Sequence, residues 1–187
     1  MRALTRRAVV GAFVAAASLG AATLPRPAGE VSVVSHTGQV VKLSMMKGKV
    51  VVLEFLLTHC PSCKHSARLL AKMQSEYGSR GLQVIGLAID EGAGPKLEAF
   101  VRETGANFPV GVYGNAAAYD YLQHPMITNM LMPQLAIVDR KGMIREQHGG
   151  NDPWMAEAME ERNLRAALEK LLKEPAGAAM KKAAGKK

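Results

Sequence analysis

Between residues 50 and 57 every side chain is apolar except Glu54, and Cys60-Pro61-Ser62-Cys63 follows almost at once. Unbroken hydrophobicity, without alternation, is the mark of a strand buried on both faces. Such a strand needs neighbours on either side and a layer packed above and below it. The following segment supplies one such layer. Over residues 61–77 the apolar positions Ala67, Leu70, Ala71 and Met73 recur at helical spacing, and Gly78 is expected to end the helix. Residues 82–90 read as a second buried strand. Residues 95–103 read as a helix, with Pro95 near its start and Gly105 just past its end. Residues 108–112 form a short predicted strand and 116–122 a short helix. Residues 134–139 and 143–148 make a hairpin about Arg140-Lys141-Gly142, and another hairpin opens the domain about His36-Thr37-Gly38. Asp152-Pro153 is expected to cap a long amphipathic helix reaching about Leu172. This order predicts an α/β domain: a mixed central sheet with helices on both faces.

The two ends read differently. Arg2, Arg6 and Arg7 precede an uncharged stretch over residues 8–24, with small residues around Ala22 where cleavage is expected. That is the pattern of an export signal, residues 1–22. Residues 5–10 partly resemble a twin-arginine signal, with Val9 where that motif prefers Phe. An apolar stretch of this length is marginal for a membrane span, so an uncleaved anchor is the second reading. Residues 23–30 are expected to be a linker, 31–172 the domain, and 173–187 a disordered basic tail rich in Ala, Gly and Lys. The formal net charge of +8 is concentrated in those ends: the signal carries +3 and the tail +4, leaving +1 for residues 23–172. A domain that neutral has no basic stripe for nucleic acid. Only the tail invites weak contact with an anionic membrane surface.

The chain has two cysteines, Cys60 and Cys63. As a structural disulfide they would close a loop too short to matter, worth about 2 kcal/mol. As a zinc site they would need His59 and His65, yet neighbouring side chains such as His59 and Cys60 diverge by roughly 100°. Redox chemistry fits the spacing best. Cys60 lies where a strand passes into a helix, so its sulfur meets the free N–H groups and positive dipole of the first turn, which favour its thiolate. Cys63, one turn on, is placed to attack a mixed disulfide and release product. Pro61 suits the first turn, where its missing N–H is not needed.

The stretch "GKVVVLEFLLTHCPSCKHSARLLAKM" resembles the active-site region of thioredoxin-fold proteins. Together with "MPQLAIVDRKGMI" it resembles the exported TlpA/ResA-like thiol–disulfide oxidoreductases, over roughly residues 30–172. The resemblance implies a thioredoxin fold and a periplasmic or other extracytoplasmic location. It implies exchange of the Cys60–Cys63 dithiol with protein clients and an upstream redox partner, without organic cofactor or metal. Pro133 matches the proline that opens the strand facing the cysteines, so the Met132–Pro133 bond is expected to be cis. His59, Pro61, Ser62 and Met132 are the expected client contacts. Glu54 stands where thioredoxin carries a buried acid. Inside an apolar strand its charge is costly, and the reading is a carboxyl of raised pKa that accepts the proton of Cys63. The alternative is a strand-edge glutamate reaching solvent.

This chain departs from the family twice. His59 replaces the tryptophan that usually precedes the first cysteine, either tuning the Cys60 thiolate or standing as an exposed polar residue. Ser66 replaces the further acid that ResA-like members carry three residues after the second cysteine. His65 is expected on a solvated helix face. A rival reading is a Sco-like copper chaperone, since His124, Met126, Met130 and Met132 precede Pro133 and soft ligands suit copper. Sco cysteines are spaced by three residues rather than two, and methionines also serve as adaptable apolar contacts. A peroxiredoxin ranks below the copper chaperone, because Thr58 is two residues before Cys60 rather than three, without the matching proline.

Overall fold

The computed structural model describes residues 22–175. The expected signal, apart from Ala22, and the tail beyond Pro175 lie outside the described residues. In chain order the elements are β1 (Arg26–Pro27), β2 (Ser32–Val34), β3 (Val40–Lys42), β4 (Val50–Leu56), α1 (Pro61–Tyr77), β5 (Leu82–Ala88), α2 (Leu97–Thr104), β6 (Val110–Val112), α3 (Asn115–Leu122), β7 (Gln134–Val138), β8 (Met143–Gly149) and α4 (Glu157–Lys173).

Six strands make one mixed sheet in the order β1-β8-β7-β4-β5-β6. β4, β5 and β6 run parallel, while β7 is antiparallel to β4, β8 to β7 and β1 to β8. β4 is central and buried along its whole length, which is why its sequence is apolar on both alternations. Val50, Val52 and Leu56 face a core shared with α1, α2 and α4. Val51, Leu53 and Phe55 face a second core, closed by α3 and the β2–β3 hairpin. The thioredoxin-like α/β architecture is therefore layered on both faces of the sheet, as the element order predicts.

Three local expectations are corrected. Residues 23–30 are not all linker, because Arg26 and Pro27 pair with Ile144 and Met143 as an edge strand. Gly78 ends α1 as expected, though not in a left-handed cap. Its φ is −55° and the chain continues into a further tight turn, closed by Gly81 at φ +98°. Asp152 caps a single 3₁₀ turn, Pro153–Met155, by accepting from the Trp154 N–H, and α4 begins only at Glu157. The tail does not begin at 173: Lys173 closes α4, and the Glu174 carboxylate accepts from Arg145 at 3.2 Å.

Candidate active site

β4 leads straight into α1, and the loop between them is held by a carboxylate at the end of β5. Asp90 accepts from the Thr58 amide at 2.9 Å and from its hydroxyl at 2.6 Å. Burial works against a charge on Asp90, but the two Thr58 bonds outweigh it and hold the carboxyl below its usual range. His59 projects from this loop into solvent, its side chain 70% exposed and Nδ1 3.8 Å from Asp90. Of the two readings for His59, its position is that of an exposed polar residue.

Cys60 caps α1. Its sulfur accepts the Cys63 N–H at 3.2 Å, and Pro61 occupies the first helical turn. A thiolate there meets an amide and the positive end of a helix of 17 residues. Cys60 is partly exposed, Pro61 and Ser62 are exposed, and Cys63 is fully buried among apolar side chains. Burial, and then its bond with Cys60, push the Cys63 thiol far above the usual thiol range. The pair is thus unequal: one accessible sulfur at a helix terminus, one sealed sulfur that holds its proton. Both thiols are free in this structure.

Beneath them lies Glu54. It pairs in register with Gly86 on one side and Leu135 on the other, and its side chain is fully buried on the α1–α4 face of the sheet. The strand-edge reading is therefore wrong, since β4 has neighbours on both sides. Neither carboxyl oxygen has a hydrogen-bond partner. Burial foremost, and then the neighbouring Glu160 carboxyl, raise its pKa well above the ordinary glutamate value. Ser66 is fully buried between these acids. Its hydroxyl is close enough to favour their charged forms, yet it completes a hydrogen bond with neither. His65 is not on a solvated face, as only a third of its side chain is exposed and Nε2 is buried. Glu160, Asp90 and Thr58 are the residues the sequence reading passed over.

The Met132–Pro133 bond is cis, and Pro133 opens β7 beside a cavity of about 110 Å³ that it lines with Ser62, His65, Gly150, Glu157 and Glu160. The loop before it exposes Met126, Ile127 and Leu131 at 69%, 95% and 54%. The side chains weighed for copper lie in different surroundings. Met130 is buried in the α3 core. His124 sets its ring edge-on to Tyr119 at 5.3 Å, with Nδ1 3.2 Å from the Pro125 carbonyl. Met126 points into solvent. Among the described residues no cluster of three or more His, Cys, Asp or Glu side chains could hold a metal ion.

The Redoxin family model matches residues 22–168, most of the chain and every element described except the last residues of α4. This chain belongs to the Redoxin family. Its sequence is 29% identical over 116 residues to the thiol–disulfide oxidoreductase ResA of Halalkalibacterium halodurans, covering 60% of this chain and 61% of that one. It is 27% identical over 124 residues to the thioredoxin-like protein YneN of Bacillus subtilis, covering 66% and 69%. The chain thus matches about three fifths of the length of the first ResA relatives. Among solved structures, a Chlorobium tepidum protein assigned as the thiol:disulfide interchange protein DsbE is 30% identical, with a TM-score of 0.63 over 77% of this Redoxin-family chain and 96% of its own. A Bacteroides thetaiotaomicron protein assigned as a disulfide isomerase shares the fold, at 24% identity and a TM-score of 0.68 over 84% of this chain and 96% of its own.

Proposed function

We propose that this protein is an exported thiol–disulfide oxidoreductase acting on protein clients. The observation that carries the reading is the inequality of the two sulfurs, Cys60 accessible and hydrogen-bonded at the start of α1, Cys63 buried and protonated. In the reducing direction the Cys60 thiolate attacks one sulfur of a client disulfide. The client S–S bond breaks, and a Cys60–client mixed disulfide forms with a client thiolate leaving. In molecules where Glu54 is ionised, Cys63 then gives its proton to that carboxylate and attacks the Cys60 sulfur. The second client thiolate leaves, the client has gained two electrons, and Cys60–Cys63 is oxidised. An upstream dithiol partner reverses these steps on the protein. Run backwards against a reduced client, the same atoms perform oxidation.

Client docking is assigned to the rim formed by His59, Pro61, Ser62, Met132 and Pro133, with the exposed Met126, Ile127 and Leu131 beside it. Apolar, adaptable side chains suit clients of varied sequence. An extracytoplasmic location is supported by the arginine-led apolar stretch at the start of the sequence, and it is where protein disulfides persist.

The test is client trapping. Cys63→Ala should accumulate a covalent mixed disulfide with a disulfide-containing protein client, resolved by non-reducing electrophoresis and lost on reduction. Cys60→Ala should capture nothing. Capture through Cys63 in the Cys60→Ala protein would overturn the assignment of roles.

A further inference from the structure

The proposed chemistry delivers a proton into a closed compartment. Cys63 and Glu54 are both fully buried, and Glu54 sits at the centre of the sheet with strands on either side. A proton passed from the thiol to Glu54 reaches solvent only by a path through the protein, and the side chains that β5 and β7 turn to this face, Val84, Ala88, Leu135 and Ile137, are apolar. One direction is different. On the α1–α4 face stand Ser66 at 0% exposure and Glu160 at 3%, both polar and both with an oxygen lacking any partner. Glu160 Oε2 is 3.8 Å from His65 Nε2, and His65 Nδ1 is 3.5 Å from Oε1 of Glu157, which is 82% exposed. His65, Glu157 and Glu160 also line the cavity of about 110 Å³ beside Pro133. That space is several times what one water needs.

We infer that Ser66, Glu160 and His65 form a proton exit that connects Glu54 to solvent through the cavity beside Pro133. The inference rests on the oxidoreductase reading above. One proton enters at Glu54 from Cys63. Glu160 first passes the proton it holds to His65 or to water in the cavity, where Glu157 lies at the mouth. The Ser66 hydroxyl, free of other bonds, then turns to accept the new proton from Glu54 while giving its own to Glu160. No atom is consumed and no electron moves. Reduction of Cys60–Cys63 by the upstream partner draws a proton in along the same path.

The arrangement has an electrostatic logic. Two neighbouring carboxyls with no cation between them resist ionising together, so the pair holds one shared proton over a wide pH range. Burial raises Glu160 as it raises Glu54, opposed by Ser66 and His65. The groups facing the path are Glu54 from β4, Cys60, Cys63 and His65 from α1 and its cap, and Glu157 and Glu160 from α4. Glu160 touches neither client nor sulfur in this scheme and acts through Glu54, so it is a positioning residue.

The probe is glutathione disulfide mixed rapidly with the reduced protein, quenched in acid, and the Cys60–glutathione mixed disulfide counted by mass spectrometry. Glu160→Gln keeps the shape and cannot ionise. Cys60 should still attack at the wild-type rate, while resolution by Cys63 slows by at least roughly tenfold at neutral pH, so the mixed disulfide accumulates. Its pH profile should shift, and small buffer bases should restore the rate in Glu160→Ala. Ser66→Ala, a change of one atom in a helix of good formers, should act in the same direction and guards against misfolding of the Glu160 variants. Resolution at the wild-type rate from pH 5 to 9 in both Glu160→Gln and Ser66→Ala would overturn the relay and leave the oxidoreductase reading intact. Failure of wild type to form any mixed disulfide would remove both.

Discussion

The Cys63 amide donates to the Cys60 sulfur over 3.2 Å, while the Cys63 sulfur is shut away from solvent. The same helical turn therefore presents one thiol and hides the other. In the reduced protein Cys60 should react with iodoacetamide at least roughly tenfold faster than Cys63, because the alkylating species is an accessible thiolate. Peptide mapping after a timed quench reads the ratio. Equal labelling of both cysteines in folded protein would contradict the burial of Cys63.

Glu54 makes stability depend on pH with a definite sign. Its folded pKa is raised, chiefly by burial and then by Glu160, so the folded chain holds a proton that the unfolded chain releases near the ordinary glutamate pKa of about 4.3. The stability tied to that proton is complete below this value and declines as pH rises through the folded value. Glu54→Leu removes the titration and places an apolar side chain beside Val52, Leu56 and Leu135. The variant should exceed wild type by about 1–3 kcal/mol at pH 8 and by less at pH 4. Urea unfolding at the two pH values measures both differences. A variant less stable than wild type at pH 8 would mean that Glu54 has a partner and is not a buried, uncompensated acid.

His148 gives a second pH effect through different physics. Its ring stacks on Trp154 at 4.0 Å and 5°, with Nδ1 2.7 Å from Asp152 and Nε2 3.4 Å from Glu146. Burial disfavours the imidazolium, but the bonds to Glu146 and Asp152 outweigh it and raise the pKa. A raised value means that this stability is fully present below the ordinary histidine pKa of about 6.5 and is lost as pH climbs through the folded one. His148→Gln should therefore destabilise by about 1 kcal/mol at pH 6 and by clearly less at pH 9. Fluorescence of Trp154, the chain's one tryptophan, follows the unfolding. A larger loss at pH 9 than at pH 6 would reverse the assignment.

How far the sequence could be read depended on how local each signal was. The buried strand over residues 50–57, the helix beginning at Pro61 and the cysteine spacing are carried by consecutive residues, and they place Cys60, Cys63 and Glu54 without help from the rest of the chain. Glu160 was hidden for a physical reason. An acid in the first turn of a helix is favoured by the dipole wherever it points, so its position four residues before the buried Leu164 was the one sign that it faces inward. Asp90 looked like the polar end of a strand, and its grip on Thr58 joins residues 32 positions apart. His65 was misplaced because the helical pattern around it is interrupted by the site itself: Ser66, a polar residue, occupies a core position. Functional polar groups break the hydrophobic periodicity from which burial is read.

Gly150 is the remaining residue without a local signal, and its role can be measured. A Cβ built on it would stand 2.5 Å from the Met132 carbonyl oxygen and 3.1 Å from that of Leu131, and its own N–H donates to the Leu131 carbonyl at 3.1 Å. The chain leaving β8 thus lies directly against the backbone that presents Pro133, and no flexible side chain is there to yield. Gly150→Ala must push that backbone aside, at a cost of about 1–3 kcal/mol for overpacking. Movement would fall on Leu131, Met132 and Pro133, at the assigned client rim and the mouth of the cavity, and would leave the α1 turn where it is. The variant should therefore keep the wild-type alkylation rate at Cys60 while exchanging disulfides with a protein client more slowly, with glutathione disulfide affected less than the protein. Comparing the two substrates separates docking from sulfur chemistry. If alkylation and both exchange rates fell together, the displacement would have reached α1, and client docking could not be credited to the loop before Pro133.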